Sequence, residues 1–142
     1  MKITESYEGL TRIENGDYVL EKDLIVDGSI EIELDDRFVV KGRLEATESI
    51  IAECGIKAGD GIKAGCGIEA GCGIEAGWGI EAGWGIKAGW GIKAKMIDCK
   101  KRIFAGISLY RTSKDCIKTI KCQKLTDGEI AYGDLIIESE DK

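Results

Sequence analysis

Residues 77–94 read GWGIEAGWGIKAGWGIKA, three near-identical copies of a six-residue word. The word G-I-[EK]-A-G-x begins at Gly55 and repeats seven times, ending at Ala94. A period this short marks a solenoid. Its parity names the secondary structure. Ile, Ala and the variable x residue fall on even numbers, while Gly and the Glu or Lys fall on odd numbers. A strand alternates its side chains with period two, so this pattern is inside/outside alternation along strands. A helix would need a 3.6-residue period. Two Gly in every six residues would also cost a helix roughly 2 kcal/mol per repeat.

The frame reaches beyond the perfect copies. Stepping back in sixes from Ile56 meets Ile50, Leu44, Phe38, Ile32 and Val26, all apolar; stepping forward meets Ile62 through Ile92. The six-residue frame therefore covers about residues 18–97. Each word supplies one short strand and one corner, with Gly providing the positive φ that a tight corner can require. Coils stacked about 4.8 Å apart pair in parallel. The row Lys57, Lys63, Glu69, Glu75, Glu81, Lys87, Lys93 sets the number of words per coil. Opposite charges favour stacking. At a spacing of 18, the pairs 57/75, 63/81, 69/87 and 75/93 are all opposite in sign. At 12, Glu69 meets Glu81, and at 24, Lys63 meets Lys87. The x column counts instead for 12, with acidic Asp36, Glu48 and Asp60. The charge row favours the three-sided coil. The expected fold is all-β: a single-stranded parallel β-helix of about 18-residue coils with a small C-terminal β cap.

Residues 38–58, FVVKGRLEATESIIAECGIKA, carry a family resemblance. Gly42, Leu44, Ala46 and Ile50 fit a G-x-[IL]-x-A pattern similar to that of the bactofilins, and the likeness spans about residues 26–97. The resemblance implies a right-handed triangular β-helix that assembles end to end into filaments without nucleotide. Hexapeptide acyltransferases share the period, but place a small residue two positions before the aliphatic one. Here Asp, Cys or Trp stands there.

Flanking the repeat, residues 1–17 form an N-terminal cap segment and residues 98–142 a C-terminal β cap. In the latter, IFAGISLY (with Ile103, Ala105, Ile107 and Leu109 on one parity), CIKTIKCQKL and GEIAYGDLII read as strands, with a turn at Thr126-Asp127-Gly128. A cap is expected because the last coil of a solenoid has an open edge. No apolar run is long enough to span a membrane, and there is no apolar signal region, which points to a cytoplasmic protein. In that setting the six cysteines, Cys54, Cys66, Cys72, Cys99, Cys116 and Cys122, read as reduced thiols, and those at x positions as buried small hydrophobes.

The chain has no histidine, which removes the usual base of the acyltransferases and the zinc ligands of the carbonic-anhydrase branch. Its glycines are spaced for corners and form no phosphate loop. The expectation is a non-enzymatic protein with no cofactor and no metal. Charge is uneven along the chain. Residues 1–53 hold 6 basic and 14 acidic groups, residues 95–124 hold 9 and 2, and residues 125–142 hold 1 and 6. Three groups are candidates for interaction. Trp78, Trp84 and Trp90 share the parity of the core Ile, so they either fill the core toward the cap or form an exposed belt for a partner. Lys100, Lys101, Arg102 and Arg111 form a basic run that suits a solvated face, phosphates or an acidic partner. Glu31, Glu33, Asp35 and Asp36 form an acidic run that suits a second copy docked head to tail, or a surface that mimics a phosphate backbone. The leading function is a structural protein that self-associates through its ends or a face. The alternatives are a small interaction or inhibitor protein, of the kind a phage would carry, acting on a host protein, and nucleic-acid binding through 95–124.

Overall fold

The computed structural model describes residues 1–106 and 119–137, and every regular element among them is a strand. The strands stack into three parallel ladders, the faces of a triangular solenoid of about six coils. Face one runs from Leu24–Val26 through Leu44–Ala46, Ile62–Ala64 and Gly79–Ala82 to the start of Met96–Ala105. Face two runs from Lys2–Ile3 through Ile30–Ile32, Ile50–Ala52, Ile68–Ala70 and Ile86–Ala88 to the end of Met96–Ala105. Face three runs from Tyr18–Leu20 through Phe38–Val40, Ile56–Ala58, Ile74–Ala76, Ile92–Lys93 and Thr119–Cys122 to Asp134–Ile137. Central partners stand three words apart in the chain, as in Ile62 beside Ile80 and Ile68 beside Ile86. The coil is three words long, and the charge row stacks as its signs require. Lys63 lies 4.0 Å from Glu81, and Lys87 3.9 Å from Glu69.

The core is one Ile column and one Ala column per face, both almost fully buried. Cys99 and Cys122 take the small-residue place in the later coils, beside Ala82 and above Ala94, and are fully buried.

The corner glycines serve a different purpose from the one the sequence suggested. None between Gly55 and Gly91 has a positive φ. The glycine after each Ala is instead required by stacking. A Cβ at Gly59, Gly65, Gly71, Gly77, Gly83 or Gly89 would collide with the backbone carbonyl of the coil before it. The glycine before each Ile has more room. At Gly73 the nearest atom to a Cβ would be a carbonyl oxygen at 3.4 Å.

At the N-terminus the six-residue frame slips. Leu24 pairs with Leu44 and Ile30 with Ile50, each partner two positions further along the chain than three words would place it. Leu24 and Ile30 therefore take the Ile places, which the frame gave to Val26 and Ile32. The two extra residues lie in the corner between Ile32 and Phe38, where Leu34 turns into the core. A shift of two keeps every side chain on its own side of the strand, so the hydrophobic pattern carries no trace of it. Residues 1–17 cover faces two and three at this end, and Lys2–Ile3 pairs with Ile30–Ile32. Leu10–Arg12 runs antiparallel to Tyr18–Leu20, and Tyr7 and Leu10 pack on the core.

The described C-terminal strands are β, as expected, and join the solenoid's own ladders. The boundary at 97/98 falls inside the strand Met96–Ala105. Lys124–Tyr132 pairs in parallel with that strand, and Asp134–Ile137 pairs in parallel with Thr119–Cys122. The described part of 98–142 thus ends the solenoid as further coils on the same ladders. Thr119–Cys122 keeps the in/out alternation, while Asp134–Ile137, the outermost strand, is exposed throughout. Ile107, Leu109, Arg111 and Cys116 lie outside the described residues. Among the described residues no helix is long and apolar enough to cross a membrane.

Candidate interaction surface

The x positions lie at corners, where the chain rotates from one face to the next. Parity, which holds along a strand, fails there. The backbone N–H of Trp78 donates to the Asp60 carbonyl, that of Trp84 to Cys66 and that of Trp90 to Cys72. The three tryptophans thus occupy three successive corners of one coil. The Ile and Ala columns already fill the interior, so the rings are left outside or at the rim. Trp78 is 60% exposed, Trp84 is 66% exposed and Trp90 is half-buried. The core-filling reading is therefore wrong for Trp78 and Trp84.

Each ring walls a shallow groove over one face. On face one, Trp78 and Met96 flank Lys63, Glu81 and Asp98, with the Lys95 ammonium 5.5 Å from the Trp78 ring centre. On face two, Trp84 flanks Ile51, Glu69, Lys87 and Phe104. On face three, Trp90 closes a groove of about 580 Å³ floored by Ile56, Ile74 and Ile92 and edged by Asp17, Arg37 and Lys121. Arg37 is fixed there by Asp17, whose Oδ2 accepts from Nη2 at 2.6 Å.

The basic run meets the Trp84 corner. Lys101 donates its backbone N–H to the Trp84 carbonyl, and Lys100, Lys101 and Arg102 line a second groove beside that ring. Lys100 lies 3.6 Å from Asp98 and Arg102 lies 3.9 Å from Glu129, so much of this charge is matched within the chain. The acidic run is divided. Glu31 points outward on face two. Glu33 pairs with Lys2 at 3.5 Å, and Asp36 accepts the Arg37 N–H. Asp35 accepts the Tyr18 hydroxyl at 2.7 Å and lies 3.7 Å from Arg12. The Tyr18 hydrogen bond holds the Asp35 carboxyl below its ordinary value and raises the Tyr18 hydroxyl.

The x-position cysteines are likewise at corners and half-buried, where sequence parity placed them in the core. Cys54 stacks beneath Cys72 at the corner that ends in Trp90. Burial pushes the Cys54 thiol up to about 11, and the neighbouring Cys72 adds to the effect. The thiolate is the nucleophile in alkylation. At pH 8, Cys54 is expected to react with iodoacetamide roughly a hundredfold more slowly than a free thiol, by the ratio of thiolate fractions. Peptide mapping by mass spectrometry measures this, and a rate like that of a free cysteine peptide would contradict it.

Two features were missed in the sequence. Ile51 stands in the Glu/Lys row and is 43% exposed, a substitution visible as the one apolar residue six before Lys57. Leu135, Ile136 and Ile137 are exposed at the last coil. They read as strand residues, and only the end of the ladder shows which sides lack neighbours. Among the described residues, no cluster of His, Cys, Asp or Glu is arranged to hold a metal ion. Comparison with known proteins finds no family model, no curated protein and no solved structure that matches this chain.

Proposed function

We propose that the chain is a non-enzymatic structural protein that self-associates through its ends or a face, in the manner its bactofilin-like repeat implies. The observation that carries this is the C-terminal edge, which is open among the described residues. Asp134–Ile137 is the outermost strand of face three, and all four of its residues are exposed. Among the described residues, no strand lies beyond it or beyond Lys124–Tyr132. At the other end Leu24–Val26 is outermost on face one, with Ile25 59% exposed. An unpaired apolar edge recruits other strands. Negative-stain microscopy with light scattering over a concentration series tests the proposal. Growth in mass with concentration is expected, and a strict monomer at high concentration would overturn it.

The exposed rings of Trp78 and Trp84 favour a second reading, a small interaction protein that uses these corners as anchors on another protein. Under that reading the double variant Trp78→Ala/Trp84→Ala loses one stoichiometric partner that the parent chain captures. The Lys101 and Arg102 side chains beside Trp84 support a third, nucleic-acid reading. Steep salt dependence would mark it, and flat dependence would remove it.

A further inference from the structure

The outward column of face two reads, coil by coil, Lys2, Glu31, Ile51, Glu69, Lys87, Phe104, Tyr132. From Glu31 to Tyr132 this order is self-complementary when inverted about the midpoint between Glu69 and Lys87, and Lys2 lies beyond the overlap. Inversion sets Glu69 against Lys87, Ile51 against Phe104, and Glu31 beside the exposed Tyr132. Ile51 is 43% and Tyr132 46% exposed, and Phe104 is half-buried.

We propose that face two is the isologous interface of an antiparallel homodimer, two copies packed face to face with their solenoid axes opposed. This rests on the self-association reading and takes its lateral arm, a face instead of the open ends. A two-fold axis lying in the interface, along the strand direction, reverses the coil order and leaves position along the strand unchanged. Each outward residue then meets the residue from the mirror-related coil. The adjoining corner obeys the same inversion. Its column runs Gly28, Glu48, Cys66, Trp84, Lys101. Inverted about the same point, Glu48 meets Lys101 of the second copy, and the exposed Trp84 ring covers Cys66.

The other faces do not invert this way. Face one shows Glu45, Lys63, Glu81, Asp98. Inverting it about Lys63 and Glu81 sets Glu45 against Asp98. Face three shows Lys57, Glu75, Lys93, Lys121. Inverting it about Glu75 and Lys93 sets Lys57 against Lys121. Charge along the axis also favours an antiparallel pair over a head-to-tail one. The acidic groups crowd residues 1–53 and the basic ones 95–124, but residues 125–142 are acidic again. Among the described residues the last coils carry Glu129 and Asp134, so a head-to-tail joint would bring acid to acid, whereas a lateral antiparallel pair brings the acidic coils beside Lys100, Lys101 and Arg102 twice. Six coils about 4.8 Å apart and one three-residue strand of about 10 Å across give roughly 300 Å² of flat face per copy. That is below the ~800 Å² per partner of a standard interface, so the pair is a weak, concentration-dependent dimer.

Charge reversal tests this without relying on loss of fold. In Glu69→Lys, two attractive contacts across the dimer become repulsive, and the same holds for Lys87→Glu. Each single variant is expected to dimerise roughly tenfold more weakly than the parent in sedimentation equilibrium. An equimolar mixture of the two is expected to regain association, because both cross-contacts are then opposite in sign. A misfolded variant could not be rescued in this way, and circular dichroism checks that each keeps its strands. If the parent associates but neither reversal weakens it, or the mixture gains nothing over the single variants, face two is not the interface while self-association stands. If the parent is a strict monomer, both fall.

Discussion

Gly71→Ala is expected to destabilise the solenoid by about 3 kcal/mol or more, while Gly73→Ala, two residues away, changes stability by less than about 1 kcal/mol. Both glycines sit in one corner of one coil, and neither has a positive φ. They differ in what lies beneath. A Cβ on Gly71 would sit on the Glu53 carbonyl oxygen and press on the carbonyl carbon behind it. Those atoms belong to the preceding coil, whose backbone is held in register by the ladder bond from Gly71 N–H to the Ala52 carbonyl at 3.1 Å. Nothing flexible can move aside, so the coils must separate locally. A Cβ on Gly73 would meet the Gly91 carbonyl oxygen at 3.4 Å, an ordinary contact. Its cost is offset by the freedom that Ala removes from the unfolded chain. Urea denaturation followed by circular dichroism measures both. Equal effects would mean that the corner glycines serve chain flexibility instead of coil spacing.

Ile68→Ala carries the second large effect, a loss of about 3–4 kcal/mol. Ile68 is 1% exposed and is stacked between Ile50 and Ile86 in the column behind face two. Truncation leaves a cavity whose walls cannot close, because the coils above and below are fixed by the same ladders that hold Ile68. Ile51→Ala, on the outer side of the same face, is expected to change monomer stability by no more than about 0.5 kcal/mol. Its 43% exposure leaves little burial to lose. Thermal melts at a dilution where the chain is monomeric separate the two. A small loss at Ile68 would show that the core column relaxes from coil to coil.

What was legible in the sequence follows from what a repeat constrains. The Ile and Ala columns were readable because each residue of a strand faces in or out by parity alone. The three-word coil was readable because Glu69 over Lys87 and Lys63 over Glu81 are pairwise facts about sign. The tryptophans were left between core and exposed belt for a matching reason. Trp78 shares its parity with Ile80, but a corner rotates the chain between them and turns the ring outward. The two-residue slip between Ile32 and Phe38 was invisible, since a shift of two preserves parity. The C-terminal coils were read as strands but not placed, because without the Gly corners nothing in IFAGISLY or GEIAYGDLII states its register against Ile86 or Ile92. The self-complementary column of face two was the least legible. Ile51, Lys87 and Phe104 are distant in sequence and become neighbours only once the ladder is drawn.

The claim that this chain is a self-associating scaffold is tested most directly by sedimentation velocity on the unmodified protein across a wide concentration range. A sedimentation coefficient that rises with concentration, reversibly on dilution, is the expected result. A single species of monomer mass at every concentration would contradict it.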